Sequence, residues 1–288
     1  QLKLFSAINY KSAMDEVEDI IKTHKTLSKR FVRHLHKILT ENDPATDGTP
    51  GVFRTHQVVI RSSRLGDFWP AEPVKINDFM DRYVQDTVAR NMLPQLINTA
   101  ISHYQFESIH PFEDGNGRTG RMLIVTDLLM SKLINFPVLN LSQYFERNRD
   151  AYIRALRLVT EEHSYTPWVR FFLQGGGDQS RHNLTLVEQL RNIEQADLAL
   201  IHEHLHSPVP PIILRHALNS LFITVESATE YVTQHNFTST DTKQTVRVNI
   251  MRLVELGILE ETAFKRGRQK VYGHRRLKQF LTAINATR

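Results

Sequence analysis

Twelve consecutive residues gather groups that could do chemistry together: His110-Pro111-Phe112-Glu113-Asp114-Gly115-Asn116-Gly117-Arg118-Thr119-Gly120-Arg121. His110 is the side chain in this stretch that titrates near neutral pH, which suits a general base. Gly115 and Gly117 let the backbone take positive φ, so successive N–H groups can converge on an anion. The helix expected just after them turns its positive dipole end and unpaired N–H groups to the same place. Arg118 and Arg121 lie three residues apart, share a helix face and can clamp phosphate oxygens. Asp114 offers a hard oxygen to magnesium, which rarely takes more than one or two carboxylates besides phosphates. Phe112 reads as an anchor held by burial, and Glu113 receives no role.

The loop resembles the Fic family signature, H-P-F-x-[D/E]-G-N-G-R-x-x-R, with its nine fixed positions matched within twelve residues. Helical layout and motif order extend the similarity over roughly the first 175 residues. The resemblance implies a nucleotidyltransferase that uses ATP and Mg2+ to move AMP onto a Ser, Thr or Tyr hydroxyl of a target protein. His110 would take the hydroxyl proton, the oxygen would attack the α-phosphate, and pyrophosphate would leave. Asp114 would hold the metal, Gly115, Asn116, Gly117 and Arg118 would bind phosphates, and Arg121 would complete the clamp. Removal of AMP, or transfer of phosphate or phosphocholine, stays open within the family. The alternative is a nucleotide-sensing, DNA-binding transcriptional regulator, although a sensor has no need of His110.

Three further segments enter through the same resemblance. Leu141 to Arg149, with Tyr152 behind it, is similar to the lining of the family's nucleoside pocket. Tyr144 would pack on adenine or ribose there and Asn148 would hydrogen-bond nearby; the competing reading is a helix N-terminus capped by Ser142. Val52 to Ala71 resembles the flap whose strand edge pairs with the target's backbone, against a purely structural hairpin. The family's inhibitory helix, [S/T]-x-x-x-E-[G/N], has no match here. Ser142-x-x-x-Glu146 is followed by Arg147, and Ser12-x-x-x-Glu16 by Val17. The chain opens on Gln1, so that helix is expected upstream of it.

The elements that must position these groups read as mainly helical. Tyr10 to His36 carries apolar residues at helical spacing, and Glu41 to Gly51 clusters loop formers. Val52 to Ile60 and Phe68 to Ala71, around a Gly66-Asp67 turn, read as a small hairpin. Helix resumes near Ile76 and continues through Tyr104, then again from Met122, around Gln143 to Glu161, and over Pro167 to Leu173. The Gly175 to Gly177 run reads as a flexible break before a polar helix from about Leu184 to His206. Ser207-Pro208-Val209-Pro210-Pro211 reads as the clearest domain boundary.

Pro211 to Arg288 reads as helix, short helix, helix and a basic hairpin, with Thr240 or Asp241 capping the third helix. This resembles a winged helix-turn-helix, with Lys243, Gln244, Thr245 and Arg247 on the candidate recognition helix. Two uses fit: DNA binding, with wing cations on phosphates, or protein contacts and homodimer formation. The expected fold class is therefore mainly α, a Fic helical core with a small β-hairpin flap plus a C-terminal winged-helix domain. The expected domains are 1–180, a linker helix over 181–209, and 210–288.

Composition sets the outer limits. Of 288 residues, 41% are hydrophobic and 23% charged, which suits a folded chain with a sizeable core. The absence of cysteine excludes a disulfide framework and a thiolate nucleophile and suits a reducing, cytoplasmic setting. No apolar run reaches membrane-spanning length. The net charge of +5 is local in origin, because Lys265 to Arg276 holds six cations and no acid. His202-Glu203-His204-Leu205-His206 matches the zinc pattern H-E-x-x-H, with Glu226 as a conceivable third ligand. Its polar setting and the immediate stop at Ser207-Pro208 argue instead for a solvated helix end.

Overall fold

The computed structural model describes residues 2–23, 26–61, 64–89, 93–235, 237, 241–267 and 269–286. It divides into two compact units, Gln1–Asn183 and Leu184–Arg288. Ser207 to Pro211 falls inside the second.

The first unit is built of helices α1 (Leu2–Lys22), α2 (Lys29–Thr40), α3 (Ile76–Ala89), α4 (Gln95–Ile109), α5 (Asn116–Met130), α6 (Ser142–Arg147) and α7 (Arg149–Glu162), and of α8 (Thr166–His204) as far as Asn183. The single helix expected over Tyr10 to His36 is two, because Ser28 is extended and its side chain accepts from Phe31 N–H, starting α2 afresh. Phe31, Val32, Leu35 and Leu39 then fall on one buried face of α2.

α5 is apolar on nearly every side, as a central helix must be. Met122, Leu123, Val125 and Leu129 join the core shared with α1 to α4. Ile124 and Leu128 face a second cluster that includes Phe145, Trp168 and Phe172. Trp168 at the start of α8 is fully buried, and its indole N–H donates to the Ala100 carbonyl at 2.7 Å.

Two expectations change here. Among the described residues, the hairpin over Val52 to Ala71 narrows to one antiparallel bridge, Ile60 with Phe68, whose two backbone bonds are 2.9 and 3.0 Å. Its base pairs with the end of α4 and the loop after it rather than with itself: Ala71 N–H donates to the Ser108 carbonyl and Arg54 N–H to that of Pro111. The Gly175 to Gly177 run is no break but part of α8. A Cβ at Gly175 would stand 2.5 Å from the Tyr144 ring, so the glycine permits a close crossing.

The second unit holds the rest of α8, then α9 (Val209–Ser220), β1 (Phe222–Ile223), α10 (Val225–Gln234), α11 (Thr242–Glu255), β2 (Leu259–Arg266), β3 (Gln269–His274) and α12 (Arg275–Ala286). Its sheet is antiparallel in the order β1-β3-β2, with Ile223 opposite Tyr272 and Leu259 opposite His274. Thr224 forms a reciprocal capping box with Ser227 at the start of α10. Asp241 caps α11 through Gln244 N–H; the other proposed cap, Thr240, lies outside the described residues. Ile213, Val246, Ile250 and Leu253 pack beneath the sheet. His274 and Asp197 are fully buried; Leu277 N–H donates to His274 Nδ1, so Nε2–H donates to Asp197 at 2.8 Å. Among the described residues, no helix is long and apolar enough to cross a membrane.

Candidate active site

The chemistry-bearing loop joins α4 to α5. α4 ends at His110, held in the left-handed region at φ 49°. Gly115 turns the chain into α5 at φ 76°, where a Cβ would also press within 2.7 Å of the Thr40 side chain. Between them, the buried Asn116 amide holds the loop closed, accepting from Phe112 N–H at 2.9 Å and donating to the Phe112 carbonyl at 2.8 Å. Phe112 is fully buried and stacks on His36, with ring centroids 3.6 Å apart.

His36 braces the loop from α2. Its Nδ1 accepts from Gly51 N–H at 2.8 Å, so Nε2 carries the proton and donates to the Asp114 carbonyl at 2.9 Å. Burial pushes its pKa down to about 4, which keeps it in the neutral form that this pair of bonds requires. From the other side, buried Arg54 donates to the carbonyls of His110, His56, Ala71 and Ile109.

The functional side chains open onto one cavity of about 400 Å³, lined by His110, Asp114, Gly115, Gly117, Arg118 and Arg121. Arg149 and Arg157 from α7 add positive charge, while Ile60, Phe68, Ile153 and Leu156 make an apolar wall. Burial drives the His110 pKa down to about 4; the Glu107 carbonyl and Asp114 oppose that shift, while Arg54 adds to it. The imidazole is therefore neutral at pH 7 and able to accept a proton.

Arg118 and Arg121 are both held in place. Arg118 pairs with Asp43 at 2.7 Å, donates to Thr46 at 2.6 Å, and lies 3.6 Å from Asp114. Arg121 Nε donates to Ser142 Oγ at 2.9 Å, so Ser142 serves the arginine, and Leu141 stands at the cap position of α6. The Asp114 side chain is 44% exposed; one oxygen accepts from Gly115 N–H and the other faces Arg118.

Three of the expected site residues stand elsewhere. Asn116 is buried behind the loop as its clasp. Tyr144 lies over Gly175 and against Phe171, away from the cavity lining. Asn148 caps a helix turn, donating to the Tyr144 carbonyl. Sequence reasoning missed Glu107 and Arg157 in the cavity and His36 behind it; Arg149 fell in the segment similar to the nucleoside-pocket lining and Arg54 in that similar to the flap, neither with a role of its own. Glu107, one helical turn before His110, had a spacing that could have been read; His36 had no local signal. The H-E-x-x-H match dissolves, because α8 ends at His204 and His206 falls beyond it. Among the described residues, no three His, Asp or Glu side chains gather to hold a metal.

Residues 26–128 match the model of the Fic/DOC family. A probable protein adenylyltransferase of Aquifex aeolicus is 29% identical over 160 residues, 55% of this chain and 47% of that protein. A protein adenylyltransferase Fic of Drosophila mojavensis is 30% identical over 148 residues, 50% of this chain and 26% of its own length. The chain thus spans half or less of the length of these curated relatives. Among solved structures, a Fic family protein from Desulfovibrio desulfuricans superposes with a TM-score of 0.54 at 19% identity, covering 92% of this chain and 74% of that one. Fic-1 of C. elegans gives a TM-score of 0.51 at 23% identity, covering 64% and 52%. The loop geometry thus lies within the segment, residues 26–128, that is similar to the Fic/DOC family, and the fold is like that of the solved Fic structures.

Proposed function

We propose that this site transfers AMP from ATP to a Ser, Thr or Tyr hydroxyl of a target protein. The observation that supports this best is the convergence of neutral His110, Asp114, Arg118 and Arg121 on a single cavity at the N-terminus of α5. The hydroxyl gives its proton to His110 Nε2 while its oxygen bonds to the α-phosphorus. The bond from that phosphorus to the bridging oxygen breaks, and pyrophosphate leaves with the electron pair. Arg118, Arg121 and the first N–H groups of α5 hold the phosphates. The apolar wall of Ile60, Phe68, Ile153 and Leu156 can take the base. Run with water in place of pyrophosphate, the same groups would remove AMP.

The half-exposed Asp114 carboxylate on the cavity wall fits a magnesium ion, which takes its remaining oxygens from phosphates and water. Asp114 would hold it, and it would neutralise charge on the leaving pyrophosphate. In this reading residues 1–180 form the transferase domain, with a target's backbone pairing along the Val52 to Ala71 flap beside the cavity.

The test uses ATP labelled at the α-phosphate, then at the γ-phosphate, beside a His110→Ala variant. Covalent α-label that vanishes in the variant is expected. Label from the γ-phosphate alone would replace AMP transfer with phosphoryl transfer.

A second reading concerns residues 210–288, joined through 181–209. α11 exposes Lys243, Gln244 and Arg247 around an open cavity shared with Lys270 of β3. This arrangement favours a winged helix-turn-helix that binds DNA, although Glu226 and Glu261 pair with the two lysines at 2.9 and 2.8 Å. Duplex DNA binding that weakens steeply with salt and with K243A/R247A would support it. No binding of duplex DNA by the unaltered chain would point instead to protein contacts or a homodimer.

A further inference from the structure

Glu107 stands one helical turn before His110 on α4, with its carboxyl in the wall of the catalytic cavity. One oxygen lies 3.8 Å from His110 Nδ1 and the other 3.9 Å from His103 Nε2. The Glu107 side chain is 11% exposed and that of His103 is fully buried. Gly120 on α5 makes the room: a Cβ there would stand 2.6 Å from the Glu107 carboxyl and 3.2 Å from the His103 ring.

His103 Nδ1, His110 Nδ1 and Glu107 Oε1, the oxygen on the His103 side of the carboxyl, are all buried without a hydrogen-bond partner. An unpaired buried polar atom costs about 1–3 kcal/mol, so three in one place call for an explanation. The backbone carbonyl of Glu107 also attracts Nδ1, without completing a bond.

We propose that Glu107 is the positioning residue of His110: in the nucleotide-loaded site its carboxylate accepts a hydrogen bond from His110 Nδ1–H. This leaves Nε2 unprotonated and aimed at the incoming hydroxyl. The inference rests on the AMP-transfer reading above. The 3.8 Å gap is too long for a hydrogen bond, and catalytic contacts of this kind often close only in the loaded complex. A carboxylate on the far nitrogen sets the tautomer and stabilises the imidazolium that forms. The transferred proton sits on Nε2 and then passes to solvent. Nδ1 keeps its own proton throughout, and Glu107 stays a carboxylate.

The groups facing Glu107 are His103 and His110 on its own helix, Arg121 on α5 and Tyr152 on α7. Burial raises its pKa to about 7 against the pull of Arg121. The carboxylate fraction therefore changes across neutral pH, and the transfer rate should change with it.

The experiment measures α-label transfer from magnesium and ATP, onto the full chain itself and proteins of a soluble extract, for wild type, E107Q and His110→Ala. E107Q should lower kcat on the order of tenfold, part of the 10²–10⁴ a general base supplies, with KM for ATP unchanged. It should also lose the rise in rate near pH 7 that wild type shows. E107Q with wild-type kcat and pH profile, beside an inactive His110→Ala, would overturn the inference alone. Labelling that survives His110→Ala would remove His110 as the base and overturn this inference with it, while label from the γ-phosphate alone would overturn the AMP-transfer reading. If E107Q does not fold, the imidazole nitrogen spectrum of the wild-type chain with a non-hydrolysable ATP analogue decides. Nδ1-protonated His110 with an inflection near pH 7 supports the role; a proton on Nε2, or no such inflection, overturns it.

Discussion

The Arg54 guanidinium donates from Nε to the backbone carbonyl of His110 at 2.8 Å. Through its other nitrogens it reaches Ile109, His56 and Ala71, so one buried side chain ties the base of the flap to the residue expected to act as base. Replacing it with lysine keeps the charge but not the planar fork of donors. Arg54→Lys should lower stability by about 1.5–3 kcal/mol, the worth of a lost charged hydrogen bond. It should also slow transfer by about tenfold or more, since a 1 Å misplacement near the chemistry can cost about a hundredfold. Denaturation midpoints and single-turnover rates check both parts.

Arg118 is oriented by Asp43 before any nucleotide arrives. The Asp43 carboxyl is held below its usual pKa, first by the Ala45 N–H and also by Arg118. Asp43→Ala should free the guanidinium and raise KM for ATP about fivefold to tenfold while kcat changes less, the pattern of lost ground-state binding. Steady-state kinetics over a range of ATP concentrations separates the two effects.

The neighbouring glycines of α8 should respond oppositely to alanine. At Gly175 the added methyl meets the Tyr144 ring at 2.5 Å, and overpacking of this kind costs about 1–3 kcal/mol. At Gly176 it meets nothing within 4 Å, so Gly176→Ala should stabilise the helix by about 0.5–1 kcal/mol. Thermal melts of the two variants provide the comparison.

Stability should rise from about pH 5 to 6.5. Burial holds folded His36 and His110 at about 4 and His103 at about 3, against an ordinary 6.5. The unfolded chain therefore binds three protons in that window that the folded chain refuses, and acid favours unfolding. Glu107 runs the other way: raised to about 7 from 4.5, it stays mostly protonated in this window when folded, and its contribution fades as pH rises. The net difference is about two protons, or roughly 2–3 kcal/mol per pH unit at most. Urea midpoints across the window test the direction.

The twelve-residue loop was legible because two glycines, two arginines and a histidine sit within one turn and one helix start, where spacing alone sets their relation. The apolar periods around Met122 and Val246 likewise marked helices that the structure contains. Less could be read where a residue's partner is distant in the chain. The Gly175 to Gly177 run looked like a break, yet Tyr144 crosses it thirty-one residues away, and helix packing overrode glycine's weak local preference.

By itself, then, the sequence determined the helical class and the loop that could carry the chemistry, since both depend on residues a few positions apart. Tertiary structure alone decided that His36 and Arg54 would brace that loop, that Tyr144 and Asn148 would turn away from the cavity, and that Glu107 would lie beside His110 in a space left by Gly120. Those relations arise from burial and close approach between separate elements, which no local spacing encodes.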